Sequence, residues 1–296
     1  MKVAIIGGNV SGLRCAELLA SKGVNVEVFE LHKKGFFKAC AAGYTPKGMQ
    51  EFPLAEEMIE RQFDQVLLHT RSGDLYYDYT VYMISRSTLH EYQWDLAEDA
   101  GATIHERCRV SSVDPKRDVI ELSDGSKAGY DLLVGADGSN SIVRRTLNLP
   151  FKKVSLVQFT LPYLATEEIE VWVDWKHKVG YYSFPHDNYT LFGCGAKEIP
   201  YRKIKELLRI KCESRGVDLS KAETKASPIN LSYRGMNFGN LYLIGDAGGF
   251  ASGLTGEGIS QSLFSAKACA LHIMGEERRS RIEIDRLLMN KYYFMN

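Results

Sequence analysis

Asp246 follows the apolar run "LYLI" and Gly245, and four more glycines with Thr255 lead to a helix expected to start near Glu257. A carboxylate fixed at the carboxyl end of a buried strand suits sugar-like hydroxyls, and a helix N-terminus beside it suits negative charge. The chain opens on related chemistry. In "MKVAIIGGNVSG" the strand-like run Val3 to Ile6 enters Gly7, Gly8, Asn9, Ser11 and Gly12, and Glu30 stands 18 residues after Gly12. The turn nearly spells G-x-G-x-x-G, which lets a backbone approach a pyrophosphate, with an acid placed to accept hydrogen bonds from a ribose. Asn9 occupies the position of the second glycine. Asn is the residue next most tolerant of positive φ, so the turn is expected to survive with a looser fit to the phosphates.

These residues need elements to hold them. Strand "KVAII", helix "LRCAELLASK" with Leu13, Ala16, Leu19 and Ala20 at helical spacing, a cap at Gly23 and strand "VNVEVFE" make a β-α-β unit. "YDLLVGADGSNSIVRRTL" reads as a buried strand entering a loop and helix, where Asp137 either organises the loop or braces Arg144 or Arg145. Residues 45–80 are expected to be irregular with two short strands. A helix capped by Ser87 follows, with Leu89, Tyr92 (or Gln93) and Leu96 on one face and Gly101 at its end. In "IEVWVDW" the alternation places Ile169, Val171, Val173 and Trp175 on one face, and "GYYSFP" and "YTLFGCG" extend an antiparallel sheet. The expected fold is α/β: a Rossmann-like domain of parallel sheet and helices (1–150 and 231–296) and a smaller antiparallel-sheet substrate domain (151–230).

The chain has 296 residues, 45% hydrophobic, with 37 basic and 37 acidic side chains, which excludes a disordered polyelectrolyte and gives no nucleic-acid footprint. Six scattered cysteines without a C-x-x-C pair argue against a metal site or a disulfide framework and fit a reducing cytoplasm. No run approaches the ~18 apolar residues of a membrane span, and Lys2 leads directly into a strand, so no signal peptide is expected. The expected location is cytoplasmic, at most peripheral to a membrane.

"GGNVSG" with Glu30, "DLLVGADGSNSIVRR" and "GDAGGFASGLTGEGI" occur in an order and at separations that resemble the three FAD motifs of the group containing the aromatic hydroxylases and the geranylgeranyl reductases. "FKACAAGY" and "GYYSFP" make the chain most similar to the geranylgeranyl reductases, although Ala41 and Ala42 stand where that family usually has glycines. The resemblance implies FAD as cofactor. Gly7, Gly8, Asn9, Ser11 and Gly12 would shape the pyrophosphate turn, and Glu30 would bind the ribose. Cys40, Ala41 and Gly43 would run beside the cofactor. Arg86 would reach its phosphates or ribityl chain, and Val110 would lie near adenine. Asp137 would organise the middle motif. Gly245 and Asp246 would hold the ribityl region, with Gly256, Gly258 and Ile259 near the flavin ring.

The implied activity is hydride transfer to a carbon–carbon double bond of an isoprenoid or other unsaturated small molecule or lipid. NAD(P)H, a ferredoxin or a deazaflavin would serve as electron donor. An isolated alkene offers no carbonyl to polarise, so it needs a dry apolar slot and a proton donor. Phe159, Trp172, Tyr181, Tyr182 and Phe184 are slot candidates, and Cys40 and Tyr181 are the catalytic candidates. Lys38 and His69 read as surface residues. The compact sheet domain implies a smaller substrate, or a pocket completed by the tail "RIEIDRLLMNKYYFMN". That tail reads as an amphipathic helix docked on the body, or as a contact with a membrane or a second copy. The alternatives are an FAD-dependent monooxygenase and a flavin-binding accessory protein of a partner enzyme.

Overall fold

The runs at residues 3–6, 132–135 and 241–243 are apolar without alternation, as strands covered on both faces must be. They lie side by side in the computed structural model, which describes residues 1–253 and 256–292. The chain divides into two units, one of Met1–Phe36, Leu89–Lys152 and Asn230–Asn296, the other of Phe37–Thr88 and Lys153–Ile229.

Numbered along the chain, the first unit's sheet joins β1 (Lys2–Ile6), β2 (Asn25–Phe29), β6 (Thr103–His105), β10 (Leu132–Gly135), β16 (Asn237–Phe238) and β17 (Leu241–Leu243). Their order is β16-β17-β10-β1-β2-β6, parallel except for β16. Val3 and Ile5 point to one face, where they pack with α1 (Val10–Ala20), α3 (Arg86–Asp99), α7 (Ile259–Ile273) and α8 (Glu277–Tyr292) through Leu13, Leu19, Trp94, Ala97, Ala266, Cys269 and Leu287. Ala4 and Ile6 point to the other face. There they meet the small sheet of β7 (Val110–Asp114), β8 (Val119–Leu122) and β9 (Lys127–Gly129), together with α4 (Ile142–Thr146) and the one-turn α6 (Gly245–Gly248). The period-2 alternation of a strand thus feeds two cores. The tail expectation holds for its described part: Leu287 is buried against this core, and Ser280 Oγ donates to the Ala268 carbonyl at 2.7 Å. Tyr293 and Phe294 lie outside the described residues.

The second unit is an eight-stranded sheet in the order β15-β11-β14-β13-β12-β4-β5-β3. Its strands are β3 (Gly43–Tyr44), β4 (Ile59–Thr70), β5 (Gly73–Ile84), β11 (Lys153–Leu161), β12 (Glu170–Asp174), β13 (Val179–Pro185), β14 (Thr190–Lys197) and β15 (Glu223–Asn230), with a short helix α2 (Pro46–Glu51). On one face α5 (Tyr201–Ser214) packs Ile204, Leu207, Leu208 and Cys212 onto Phe159, Trp172, Val179, Tyr181 and Phe192.

Several expectations change here. The two strands expected in residues 45–80 are long rather than short, 12 residues each, and the second runs on to Ile84. Their side chains are largely polar and half-exposed, so no clean apolar alternation marks them. Because β4 pairs in parallel with β12, residues 37–88 belong with the antiparallel strands and not with the parallel sheet. The two faces of β12 are covered unevenly: of the expected apolar face Ile169 is buried while Val173 and Trp175 are 39% and 61% exposed, and Glu170 and Trp172 on the other face are buried. Trp172 stacks between Phe192 and His69, with Arg215 over its ring. Glu170 Oε2 meets His69 Nε2 and Arg215 Nη2, each at 2.8 Å. His69 also meets Asp74 at 2.8 Å, so it is part of an ion network rather than an isolated surface residue. Finally, α3 begins at Arg86, and the cap is Ser85, whose Oγ accepts the Thr88 N–H at 3.3 Å.

Candidate functional site

The first turn is set by backbone contact. Gly7 has φ +103°, and a Cβ there would lie 2.4 Å from the Ala136 carbonyl oxygen. A Cβ on Gly12 would lie 1.8 Å from the Gly7 carbonyl oxygen. Asn9, by contrast, has φ −112° and ψ −165°, so positive φ is not what it supplies. It is the N-cap of α1, and its Oδ1 accepts the Val10 N–H at 2.9 Å. Asn is among the best caps, which corrects the reading of Asn9 as a loosened glycine. Asn9→Ala is expected to cost about 1 kcal/mol of stability and Asn9→Gly only a few tenths, by thermal unfolding. Asn9→Gly should leave cofactor affinity nearly unchanged; a marked tightening would restore the defect reading.

Glu30 is buried at the end of β2. Its Oε2 accepts the Gly8 N–H at 2.5 Å and its Oε1 accepts the His32 N–H at 2.8 Å. Each carboxylate oxygen keeps a further lone pair, so Glu30 can brace the turn and accept ribose hydroxyls together. His90 is a residue the sequence reading missed. Its Nε2 donates to the Gly8 carbonyl at 2.7 Å while its Nδ1 accepts the Gly35 N–H at 2.9 Å, which fixes a neutral tautomer. The signal available was a polar residue beside Leu89 on the buried side of α3, next to Gln93, which also faces the turn. His90→Leu removes both bonds from buried backbone groups. It is expected to cost about 1–3 kcal/mol in thermal unfolding and to weaken cofactor binding, with His90→Gln intermediate.

The other two motifs converge on this turn. Gly245, at φ +54°, would place a Cβ 2.6 Å from Ser11 Oγ, and its N–H donates to Ser265 Oγ at 2.9 Å. Asp246 is buried. Its Oδ2 accepts from Ser139 Oγ at 3.2 Å, and its Oδ1 lies 3.8 Å from where a Gly258 Cβ would be. Gly258 is the N-cap of α7, so Ile259 is that helix's first residue, two positions later than expected. Gly256 is exposed in the preceding loop with φ +70°. Thr255 lies outside the described residues. Asp137 Oδ2 accepts the Ile142 N–H at 2.6 Å; burial pushes its carboxyl up, against hydrogen bonds from Ser141 and Ile142 and the charge of Arg145. Arg144 does not pair with it. That guanidinium instead holds the carbonyls of Pro150, Ala247 and Ser232. Val110 opens β7, paired with Leu122 in the small sheet.

Five predicted residues fall in the second unit. Cys40 is half-buried, and its Sγ accepts the Ala42 N–H at 3.4 Å. Ala41 precedes Ala42, which sits at φ +59°, the conformation a glycine would favour. A Cβ on Gly43 would lie 2.9 Å from the Phe184 ring. Arg86 is buried, and burial lowers its pKa against the opposing fields of Cys40 and Tyr44. Tyr181 is in the core under α5, as are Phe159 and Trp172. That corrects its assignment as catalytic. The neighbouring Tyr182 is on the opposite face, where its hydroxyl donates to Gln158 Oε1 at 2.9 Å. Burial holds the Tyr182 phenol well above the usual tyrosine range, with Cys40 and Cys194 adding to the effect.

The profile of the FAD binding domain family matches residues 1–273. The chain belongs to the FAD binding domain family. Geranylgeranyl diphosphate reductase from Synechocystis sp. is 25% identical over 305 residues, covering 91% of this chain and 74% of the relative. Among solved structures, a geranylgeranyl bacteriochlorophyll reductase-like protein from Thermoplasma acidophilum has a TM-score of 0.82 at 16% identity, covering 97% of this chain and 83% of that one. PqsL, a probable FAD-dependent monooxygenase from Pseudomonas aeruginosa, has a TM-score of 0.72 at 20% identity, covering 99% and 92%. The two structures establish the fold. The protein is thus an FAD-dependent oxidoreductase, which takes a substrate and an electron donor. The first unit's residues fit the cofactor: a methyl on Gly7 would collide with the Ala136 carbonyl, one on Gly12 with the Gly7 carbonyl and one on Gly245 with Ser11, and the Glu30 carboxylate is bonded to the Gly8 N–H. Among the described residues no cluster of metal-ligating side chains occurs, and no helix is long and apolar enough to cross a membrane.

Proposed function

We propose that this protein is a reductase that delivers hydride to a carbon–carbon double bond of an isoprenoid or other unsaturated substrate. One observation carries the reading. Strand register places Leu75, Leu68, Val171, Tyr182, Gly193 and Gln158 in a single row across β5, β4, β12, β13, β14 and β11, on the sheet face opposite α5. The row is polar at the Tyr182–Gln158 pair and apolar from Val171 to Leu75. At about 4.8 Å between strands, the apolar part extends roughly 14 Å from Tyr182. That suits an extended hydrocarbon with its reacting bond at the polar end.

When bound and reduced, FAD would supply the hydride. On this reading Val171 and Leu68 would line the hydrocarbon, and Tyr182 would give the proton that the other alkene carbon must take. Its phenol is protonated at neutral pH, the form an acid needs, while burial, which holds its pKa well above the usual tyrosine range, makes it a reluctant donor. Cys40 lies near enough to influence that phenol and is the second proton source to consider. The similarity to a geranylgeranyl diphosphate reductase along most of the chain supports the same class of substrate.

The test is the mass of the product. Anaerobic incubation of the FAD-loaded, chemically reduced protein with geranylgeranyl diphosphate should yield lipid heavier by two hydrogens per double bond reduced. A product heavier by one oxygen in air, with no hydrogenated species, would favour the monooxygenase.

A further inference from the structure

We infer that one end of the second unit's sheet docks on an anionic lipid surface. Because β12 runs parallel to β4, with Trp172 beside His69, the turn after Asp174 lies at the same end of the sheet as the turn after Thr70. Apolar side chains crowd that end without cover. Trp175 is 61% exposed, Tyr77 60% and Leu75 53%. The pairs Val171–Leu68–Leu75 and Val66–Tyr77 put Leu75, Tyr77 and Val173 on one face, opposite α5. Contiguous exposed apolar side chains on a soluble fold mark an interaction site, and Trp and Tyr suit the boundary between water and hydrocarbon.

Charge decides the occupant. The two turns carry the exposed cations Arg71, Lys176 and Lys178. The carboxylates at this end are already engaged: Glu170 meets His69 and Arg215, each at 2.8 Å, and Glu168 accepts from the Tyr76 hydroxyl at 3.2 Å. Asp74 meets His69 at 2.8 Å on the α5 side, and Asp174 accepts the Lys176 and His177 N–H groups and faces His177 Nδ1 at 2.7 Å. Cations flanking an apolar face complement anionic headgroups over acyl chains. A second copy docked through the same patch would bring Arg71, Lys176 and Lys178 against their own kind, which disfavours self-association. The face is also continuous with Tyr182 through Leu68 and Val171, so a chain leaving a bilayer would meet the proposed slot directly. The docking surface rests on exposure and charge alone, and it stands or falls separately from the reductase reading.

Binding can be read without turnover. The FAD-loaded protein is mixed with vesicles of phosphatidylcholine alone, or of phosphatidylcholine and phosphatidylglycerol in equal parts, and then sedimented. Of the three tryptophans, Trp94 and Trp172 are buried, so a shift in tryptophan emission reports Trp175. The expected result is co-sedimentation and a blue shift with the phosphatidylglycerol vesicles only. The variant Arg71→Glu/Lys176→Glu/Lys178→Glu should weaken binding on the order of 100-fold while keeping its flavin spectrum. No binding to phosphatidylglycerol vesicles, or unchanged binding by the triple variant, would overturn the inference. So would a dimer in sedimentation velocity that Leu75→Asp dissociates while vesicles fail to bind.

Discussion

Gly12→Ala is expected to abolish stoichiometric FAD retention, with affinity falling on the order of 100-fold or more. The added methyl would stand 1.8 Å from the Gly7 carbonyl oxygen, which is backbone and has no rotamer to move into. Gly7 is itself hemmed in, since a Cβ on it would lie 2.4 Å from the Ala136 carbonyl oxygen at the neighbouring strand end. Relief must come from pulling α1 away from β1, which displaces the helix N-terminus that the pyrophosphate needs. Overpacking of this kind costs about 1–3 kcal/mol even where side chains can yield. Titrating FAD into the apoprotein and following flavin fluorescence measures the loss. Gly8→Ala is the internal comparison: the nearest neighbours of its methyl would be side-chain atoms of Glu30, from 3.0 Å, and it should cost less. Equal retention of FAD by Gly12→Ala and the wild type would refute the cradle.

Gly193→Ala should leave FAD binding intact and reduce turnover by about 100-fold or more. A methyl at Gly193 would lie 2.2 Å from both Cζ and Oη of Tyr182, so the ring must leave its place and the bond to Gln158 is lost. General-acid contributions of roughly 10²–10⁴-fold set the scale. Tyr182→Phe isolates the hydroxyl, since it keeps the ring and its contact with Phe184. It should lower kcat with little change in KM. Full activity in Tyr182→Phe would move the proton-donor role to Cys40, and Cys40→Ala would then carry the loss.

What could be read from the chain was what covalent geometry makes local. Gly7, Gly12, Glu30, Gly245 and Asp246 are fixed by turns that must be tight whatever surrounds them, and the structure assembles them as the spacing implied. Asn9 was recognised as part of the turn but for the wrong reason, because a cap and a positive-φ residue draw on the same amino acids. Residues whose environment comes from distant segments were not readable. His90 acts on backbone groups 82 and 55 residues away. Glu170 is buried because Arg215 and His69 arrive from elsewhere to hydrogen-bond its carboxylate, contacts that the period-2 pattern of β12 does not reveal. Tyr181 and Tyr182 differ by one step of a period-2 pattern, so their roles depend on which face α5 covers. The β4–β12 pairing, which moves residues 37–88 into the sheet unit, joins strands about a hundred residues apart.

The central claim, reduction of a carbon–carbon double bond, is met most directly by an anaerobic flavin titration. The FAD-loaded protein is reduced chemically, and its visible absorbance is followed as geranylgeranyl diphosphate is added. The account predicts that the oxidised flavin spectrum returns with the lipid, in proportion to the amount added and without oxygen. A spectrum that stays reduced through the titration and returns only when air is admitted would contradict it.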